Sequence, residues 1–215
     1  PTMNKRRDTQ SMYTGNSSIN NPEDPSNMLK TQAVCKDEKD NDELTLAEIE
    51  DALNLSGGVD LIGCEACLMG MVEVAYQIKD CGDVMVASEP AILLTWNYES
   101  ILRGLSNNPS WSARQLASKI VDSYHEDNFE HPSCISSAID LKKMNNLAYT
   151  IGIFAEAMVN KCYDPNYIKP IAKNLLIKIK DSIINEKHRD WYPNANGLAI
   201  YFPRLEEELN EDYYI

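Results

Sequence analysis

The feature that most constrains the fold is a strand, helix, strand pattern in the first half of the chain. After Gly57 and Gly58, residues 59–64 form a short apolar run with β-branched side chains, which predicts a buried strand. Residues 68–79 carry apolar side chains at helical spacing, and residues 83–88 form a second apolar run. Two buried strands joined by a helix indicate a right-handed crossover between parallel strands.

The rest of the chain after residue 43 continues this alternation. Thr45 with Glu48 three positions later is typical of a capped helix start, and it predicts a helix over residues 45–54. Further helices are predicted over residues 98–105, 112–124, 142–160 and 165–185, and further strands over residues 134–141 and 197–203. The alternation predicts one α/β domain over residues 44–215.

Residues 1–43 have a different composition, with few large apolar side chains. Such a segment buries too little apolar surface to offset its conformational entropy, so we predict a flexible arm, ordered at most around residues 33–35. The charged residues 36–43 are most simply a solvated run. They resemble a calcium loop only weakly, because the turn glycine and the regular ligand alternation of an EF-hand are missing.

Charge and apolar content exclude several classes of partner. The chain has 33 acidic against 20 basic residues and a net charge of −13, which disfavours nucleic acid and anionic membrane surfaces. No apolar run approaches the ~18 residues that a membrane span requires. Six cysteines in 215 residues are too few for a disulfide scaffold.

Cys67 lies where chemistry is expected in a parallel sheet. It follows the strand at residues 59–64 and opens the predicted helix, and ligands of open parallel sheets bind beyond the carboxyl ends of the strands. A helix N-terminus also favours a thiolate over a thiol. Cys67 is therefore a candidate nucleophile, with a small buried hydrophobic residue as the alternative interpretation.

Cys64 and Cys67 also form a C-x-x-C pair, which could indicate a zinc or a redox site. Zinc needs two further ligands, but no second pair exists, and the histidines are distant in sequence. A redox pair is disfavoured because Glu65 between the cysteines opposes thiolate formation. We expect no metal or cofactor, although calcium cannot be judged from the sequence. The three histidines, His125, His131 and His188, lie in polar stretches that predict solvated loops.

Residues 63–75, Gly-Cys-Glu-Ala-Cys-Leu-Met-Gly-Met-Val-Glu-Val-Ala, resemble the Asp-Ala-Cys-Leu-Met segment around the nucleophile of the clostripain-like cysteine peptidases. These are relatives of caspases, gingipains and legumain. Three further segments resemble the family in the same order: residues 43–49 its upstream helix, residues 86–89 with 96–98 its pocket strand and loop, and residues 197–203 its late strand. The resemblance covers residues 43 to 203.

The resemblance implies a caspase-like α/β fold, with a mainly parallel sheet flanked by helices on both faces. It also implies a cysteine endopeptidase that cleaves after Arg or Lys. Cys67 matches the nucleophile, and Glu65 stands where the family has an aspartate associated with the basic-residue pocket. The other substrate-binding candidates are residues of the pocket strand and the loop after it: Ser88, Glu89, Thr95 and Trp96. The amide of Cys67, at the predicted helix start, is the expected oxyanion donor.

The chain departs from the family at the catalytic base. The family has its histidine on the strand before the nucleophile's strand, whereas all three histidines here follow Cys67. We therefore expect an upstream segment or chain of the same protein to supply the base. Residues 1–43 would then be an activation linker, with Lys5, Arg6, Arg7 and Lys30 as sites of self-cleavage. The expected partners are this segment and a peptide or protein substrate.

The resemblance also implies export, because family members with this motif are typically secreted or held at the surface of a bacterium. The alternative is a non-catalytic binding module that keeps the fold and its acidic pocket without the catalytic pair.

Overall fold

The structure is a computed structural model that describes residues 33–92, 95–128, 130–131, 134–161, 164–189, 192–193 and 195–201. Its strands are β1 (Ala33–Asp37), β2 (Asp42–Thr45), β3 (Val59–Gly63), β4 (Gly82–Ala87), β5 (Ser136–Asp140) and β6 (Ile183–Lys187). Its helices are α1 (Leu46–Leu55), α2 (Val72–Gln77), α3 (Tyr98–Asn107), α4 (Ala113–Asp127), α5 (Met144–Lys161) and α6 (Pro165–Ser182). One turn of 3₁₀ helix, Leu141–Lys143, leads into α5.

The main sheet has four strands in the order β3, β4, β5, β6. β3 and β4 are parallel, in a register that places Ile62 opposite Met85, which confirms the predicted parallel pairing. β4 pairs with β5 and β5 pairs with β6 in antiparallel fashion. The α/β fold is thus confirmed, and its described sheet is mixed, with parallel pairing at β3 and β4 and antiparallel pairing in the other two strand pairs.

Side chains of the central strands alternate between two cores. In β4, Met85 and Ala87 face a core shared with α2, α5 and α6, whereas Val84 and Val86 face a core built with α3 and α4. This alternation is the two-residue period of a strand that is buried on both faces. Helices therefore cover both faces of the sheet, as predicted.

Local sequence signals explain several helix starts. The Thr45 side chain accepts a hydrogen bond from the Glu48 backbone N–H, and the Glu48 carboxylate accepts one from the Thr45 backbone N–H, so the predicted capping box is confirmed. Ser112 and Gln115 form a second capping box at α4. Asp164 caps α6, with Pro165 in its first turn.

The predicted arm contains ordered structure in its described part. β1 and β2 pair as an antiparallel hairpin, and Val34 packs against the core. The Asp37 side chain accepts hydrogen bonds from the backbone N–H groups of Lys39 and Asp40, so it organises the turn of the hairpin. The order expected around residues 33–35 thus extends through a hairpin that reaches Thr45. Residues 1–32 lie outside the described residues, and so do the four proposed self-cleavage sites.

The helix predicted over residues 68–79 was wrong at its start. Leu68 has a φ of 60°, which a right-handed helix cannot contain, and the helix is confined to Val72–Gln77. The apolar spacing of Met71, Val72 and Ala75 is helical, but the residues before it form a loop. Cys67 consequently lies in a loop and does not open a helix.

Two predictions near the end of the chain also need correction. The helix predicted over residues 165–185 ends at Ser182, and the β-branched residues Ile183 and Ile184 begin β6. The apolar pattern with Ile177, Ile179 and Ile183 contains no glycine or proline that would mark the change from helix to strand. The strand predicted over 197–203 is reduced, within residues 195–201, to a single parallel bridge between Ala199 and Met71, while residues 202–203 lie outside the described residues.

Among the helices that the structure describes, none has the length and apolar character needed to cross a membrane.

Candidate active site

The loops that follow β3 and β4 lie side by side at the carboxyl end of the parallel pair. The Gly70 N–H donates to the carbonyl oxygen of Ser88 at 2.8 Å, and the Leu68 N–H donates to that of Pro90 at 3.2 Å. The Cys67 thiol donates to the carbonyl oxygen of Ile92 at 3.7 Å. These contacts join the loop of residues 64–71, called here the cysteine loop, to the segment after β4.

A close approach of two backbones makes Gly70 necessary in the cysteine loop. A Cβ atom at this position would lie 2.7 Å from the Ser88 carbonyl carbon and 2.7 Å from the Glu89 nitrogen. The positive φ of Leu68 turns the chain between Cys67 and Gly70. Cys67 is thereby presented at the surface, where its side chain is exposed.

The other described cysteines differ from Cys67 in burial or in position. Burial raises the pKa of Cys64 to about 11 and that of Cys134 to about 11. Cys81 is buried, and desolvation together with the nearby Glu50 raises its pKa. Cys35 is exposed but lies on β1. Cys67 is thus the exposed thiol at the carboxyl end of the parallel strands.

Glu65, two residues before Cys67, binds the segment that leads into α3. One carboxylate oxygen, Oε1, accepts a hydrogen bond from the Trp96 backbone N–H at 2.6 Å. The other, Oε2, accepts one from the Tyr98 hydroxyl at 2.5 Å. Glu65 is nevertheless exposed, so its carboxylate can still meet a ligand.

The remaining predicted site residues occupy different depths. Ser88 is fully buried, and its hydroxyl donates to the carbonyl oxygen of Ile135 at 2.6 Å. Thr95 is exposed, whereas the Trp96 side chain is buried. The structure therefore brings Cys67, Glu65, Thr95 and Trp96 to one end of the sheet, with Ser88 beneath them.

Glu89 joins this end of the sheet to the segment before Ala199. Its carboxylate accepts a hydrogen bond from the Asn196 backbone N–H at 3.3 Å. Desolvation raises the pKa of Glu89, although hydrogen bonds from the backbone of Asn196 and Gly197 act in the opposite direction. Glu89 is thus a second carboxylate of the region and also supports the neighbouring segment.

The histidines lie in three different settings. His188 follows β6, and its Nδ1 lies 2.7 Å from Glu186 Oε1. His125 lies in the last turn of α4, and His131 lies in the segment between α4 and β5. Within the described ranges, no group of three or more His, Cys, Asp or Glu side chains is placed to hold a metal ion.

Sequence reasoning missed Tyr98 as a member of the site. It appeared there as the start of a helix and within residues 96–98, which resemble the family's pocket loop, but it was not among the named site residues. No local pattern links it to Glu65, 33 positions earlier. The role of Gly70 was also missed, although a glycine three residues after a candidate nucleophile could have indicated a close backbone approach.

Two solved structures share this α/β fold. A cysteine protease of B. fragilis superposes with a TM-score of 0.61 at 18% identity, over 81% of this chain and 89% of that chain. A secreted C11 cysteine protease from Bacteroides thetaiotaomicron, in complex with an irreversible peptide inhibitor, gives a TM-score of 0.61 at 17% identity, over 81% and 61%. The fold is therefore that of the C11 cysteine proteases.

The sequence itself matches the clostripain family over residues 19–200. Clostripain of Hathewaya histolytica is 37% identical over 78 residues, which cover 31% of this chain and 15% of clostripain. The chain belongs to the clostripain family. Its match spans only a small part of the length of that curated relative.

Replacing Gly70 by alanine should open the contact between the cysteine loop and the segment after β4. The added Cβ cannot coexist with the Ser88 carbonyl group at 2.7 Å, so one backbone must move. We expect the free energy of unfolding to fall by ~1–3 kcal/mol, as for other overpacked sites. Thermal unfolding of purified Gly70→Ala measures this loss.

Gly152→Ala is the matched control, because a Cβ at that exposed position in α5 meets nothing within 4 Å. It should leave stability unchanged or raise it slightly. Equal stability of the Gly70 and Gly152 variants would contradict the close contact of the two loops.

Cys67 should be the fastest-reacting thiol of the full protein. The pKa values of three other cysteines, Cys64, Cys81 and Cys134, are raised above the ordinary value of a thiol. At neutral pH, a smaller fraction of each is therefore the reactive thiolate than in an ordinary exposed cysteine. Limited labelling with iodoacetamide, followed by peptide mapping, ranks the cysteines. Cys35 provides the reference for an exposed thiol away from the site. Labelling of Cys64, Cys35 or any other cysteine while Cys67 stays unmodified would refute the assignment.

Proposed function

We propose that this chain is the nucleophile-bearing part of a cysteine endopeptidase that cleaves peptide bonds after Arg or Lys. The observation that carries the proposal is the placement of an exposed thiol, Cys67, and an exposed carboxylate, Glu65, on one loop beyond the parallel strands. Membership of the clostripain family supports the reaction class. A thiol beside a fixed carboxylate can attack a peptide carbonyl while a cationic side chain is held nearby.

The reaction that we propose is acyl transfer through Cys67. The Cys67 thiolate attacks the carbonyl carbon of the scissile bond, and the carbon–nitrogen bond then breaks as the leaving amine accepts a proton from a histidine. Water attacks the resulting thioester, and the histidine accepts a proton from this water. The carbon–sulfur bond then breaks and the second peptide product leaves with its new carboxyl group, which loses its proton to solvent. The Cys67 thiolate and the protonated histidine are thereby restored.

The oxyanion donor that we propose is the backbone N–H of Cys67. The neighbouring amides of Leu68 and Gly70 already donate to the carbonyl groups of Pro90 and Ser88. The Cys67 amide belongs to the same residue as the attacking sulfur, which supports its assignment as a donor to the oxygen on which negative charge develops. The assignment of this donor does not require a helix at Cys67, because α2 begins only at Val72.

Glu65 is the proposed partner of the substrate's basic side chain, and Glu89 adds negative charge to the region. The Glu65 carboxylate can form a charge-assisted hydrogen bond with a guanidinium or ammonium group, and a neutral side chain cannot make this contact. Thr95 is exposed and can contact the substrate directly. The buried Trp96 ring and the Ser88 hydroxyl support the pocket from within.

The catalytic base, in this proposal, comes from an upstream segment. β3 has β4 on one side and no partner on its other side among the described strands. An added strand at that edge would place its end beside the cysteine loop. His188 is near Glu186 after β6, at the opposite edge of the sheet.

A structural relative from Parabacteroides distasonis is described as an inactive zymogen of a C11 protease, which fits activation by processing.

Export from the cell is part of the same proposal. One structural relative is described as a secreted protease, and an extracellular endopeptidase would meet peptide and protein substrates there.

Changing Glu65 should abolish the preference for basic residues. With the full protein, peptides that carry Arg or Lys before the scissile bond should exceed matched Leu and Asp peptides in kcat/KM by ~100-fold or more. In Glu65→Gln this ratio should fall to near one, because the amide keeps the size of the side chain but loses its charge. Reporter peptides that differ at this one position provide the measurement.

Glu99→Gln is the control for this change, since Glu99 is exposed on α3 and pairs with Arg103 at the surface. It should retain the full ratio. Equal turnover of Leu and Arg peptides by the unmodified protein would refute the proposed specificity, and an unchanged ratio in Glu65→Gln would assign it to another group.

The polypeptide of residues 1–215 should be inactive without its upstream histidine. We expect peptide hydrolysis when the upstream segment is present, joined or cleaved, and none from these residues alone. The two forms are expressed in parallel and assayed with a Lys reporter peptide. Cys67→Ala tests self-cleavage, because it should leave the joined form unprocessed.

Robust hydrolysis by residues 1–215 alone would overturn the argument for an upstream base. If the protein with its upstream segment binds basic peptides but does not hydrolyse them, the result would favour the non-catalytic binding module instead.

A further inference from the structure

Both oxygens of the Glu65 carboxylate are bound by one short segment, Trp96 to Tyr98. The Trp96 backbone N–H donates to Oε1 at 2.6 Å and the Tyr98 hydroxyl donates to Oε2 at 2.5 Å. A carboxylate held at both oxygens cannot rotate freely about its last bond. Its direction is therefore set by the position of Trp96 and Tyr98.

This segment is itself well fixed. The Asn97 side chain accepts a hydrogen bond from the Ser100 backbone N–H at 2.8 Å and so caps α3. The Trp96 ring lies on Gly63, where a Cβ atom would come within 2.9 Å of the ring. The Trp96 and Tyr98 rings also contact each other, with centroids 6.4 Å apart. Glu65 is thus bound to a segment that is itself held by a helix cap and by ring contacts.

The same carboxylate remains open to a ligand. Glu65 is exposed, and Tyr98 keeps 52% of its surface accessible. An ionised carboxylate has about four lone-pair sites, of which these two hydrogen bonds use about two. Glu65 can therefore accept a cation while it stays bound to Trp96 and Tyr98.

We propose that Tyr98 is a specificity-determining residue that acts by positioning Glu65 for the basic side chain of the substrate. This inference rests on the proposed function of Glu65. In this proposal the hydroxyl of Tyr98 sets the direction of the carboxylate, so that the carboxylate can meet the basic side chain of a substrate bound at Cys67. Without it, the carboxylate keeps its charge but loses one of the two contacts that fix its direction.

The protonation state of Tyr98 suits this role. The hydrogen bond to Glu65 and desolvation raise the pKa of Tyr98 above its ordinary value. The phenol therefore stays protonated throughout the neutral range and remains the donor. Its contribution should be constant with pH until the phenol ionises.

The length of the Glu65 side chain also has a role in this arrangement. An aspartate at this position would be shorter by about 1.5 Å, one carbon–carbon bond. It could not keep both the Trp96 and the Tyr98 contact without movement of the backbone. Glu65→Asp should consequently resemble Tyr98→Phe, although it preserves the charge.

A labelling experiment tests the proposal without any need for peptide hydrolysis. Three methanethiosulfonates of similar size, with an ethylammonium, a neutral ethyl or an anionic ethylsulfonate group, react with Cys67. In each case the Cys67 thiolate forms a mixed disulfide and displaces methanesulfinate. Peptide mapping of the full protein then gives the rate at Cys67 for each reagent. The measured quantity is the ratio of the cationic to the neutral rate.

In the unmodified protein the cationic reagent should react several-fold faster than the neutral reagent, and the anionic reagent should react more slowly. Tyr98→Phe should reduce the ratio of cationic to neutral rates at least twofold. Tyr149→Phe, at an exposed tyrosine of α5, is the matched control and should leave the ratio unchanged. Thermal unfolding confirms that Tyr98→Phe is folded under the conditions of labelling.

A double-mutant cycle separates positioning from a general structural effect. If Tyr98 acts through Glu65, Tyr98→Phe should have no further effect on the ratio in a Glu65→Gln background. An unchanged ratio in Tyr98→Phe, or an equal decrease in both backgrounds, would overturn the proposal.

Peptide kinetics distinguishes this inference from the proposed function. Tyr98→Phe should raise KM for a Lys peptide more than it lowers kcat. The unmodified protein could fail to hydrolyse any peptide and still show charge-selective labelling that depends on Tyr98. This result would refute the proposed endopeptidase but support the role of Tyr98 towards a cationic ligand.

Discussion

The parallel pairing of β3 and β4 is the interaction on which the rest of the site depends. It brings two loops to the same end of the sheet, where Gly70 and Leu68 donate hydrogen bonds to the carbonyl groups of Ser88 and Pro90. The absence of a side chain at Gly70 allows this approach, and the positive φ of Leu68 then turns Cys67 outward. This strand pair, in which β4 is largely buried and β3 is exposed except around Ile62, thus determines where one surface thiol stands.

Glu65 connects this strand pair to the helices on one face of the sheet. It precedes Cys67 by two residues and accepts hydrogen bonds from Trp96, just before α3, and from Tyr98, the first residue of α3. The nucleophile candidate and the specificity candidate therefore share one loop, and that loop is fixed from two directions. An arrangement of this kind limits the motion of both groups before a substrate arrives, which lowers the entropic cost of placing the substrate.

The sequence predicted the parts of this structure that depend on local pattern. Apolar runs located β3 and β4, and Thr45 with Glu48 located the start of α1. The failures come from tertiary contacts. The predicted start of α2 was wrong because the hydrogen bond from Leu68 to the loop after β4 is incompatible with a helix at this residue. β6 was missed because only its pairing with β5 distinguishes it from the end of α6. Cys67 and Glu65 were visible as a motif, and Tyr98 lay in a segment that resembles the pocket loop, but its contact with Glu65 arises only in the folded chain.

The most direct test of this mechanism is a crystal structure of the full protein with Cys67 alkylated by a peptidyl ketone that carries lysine next to the reactive group. We predict a bond from Cys67 Sγ to the inhibitor, with the lysine ammonium within hydrogen-bond distance of the Glu65 carboxylate. The contacts of Glu65 with Trp96 and Tyr98 should persist in this complex. A lysine side chain directed away from Glu65, or an adduct on another residue, would contradict the central claim that Cys67 and Glu65 act on one substrate.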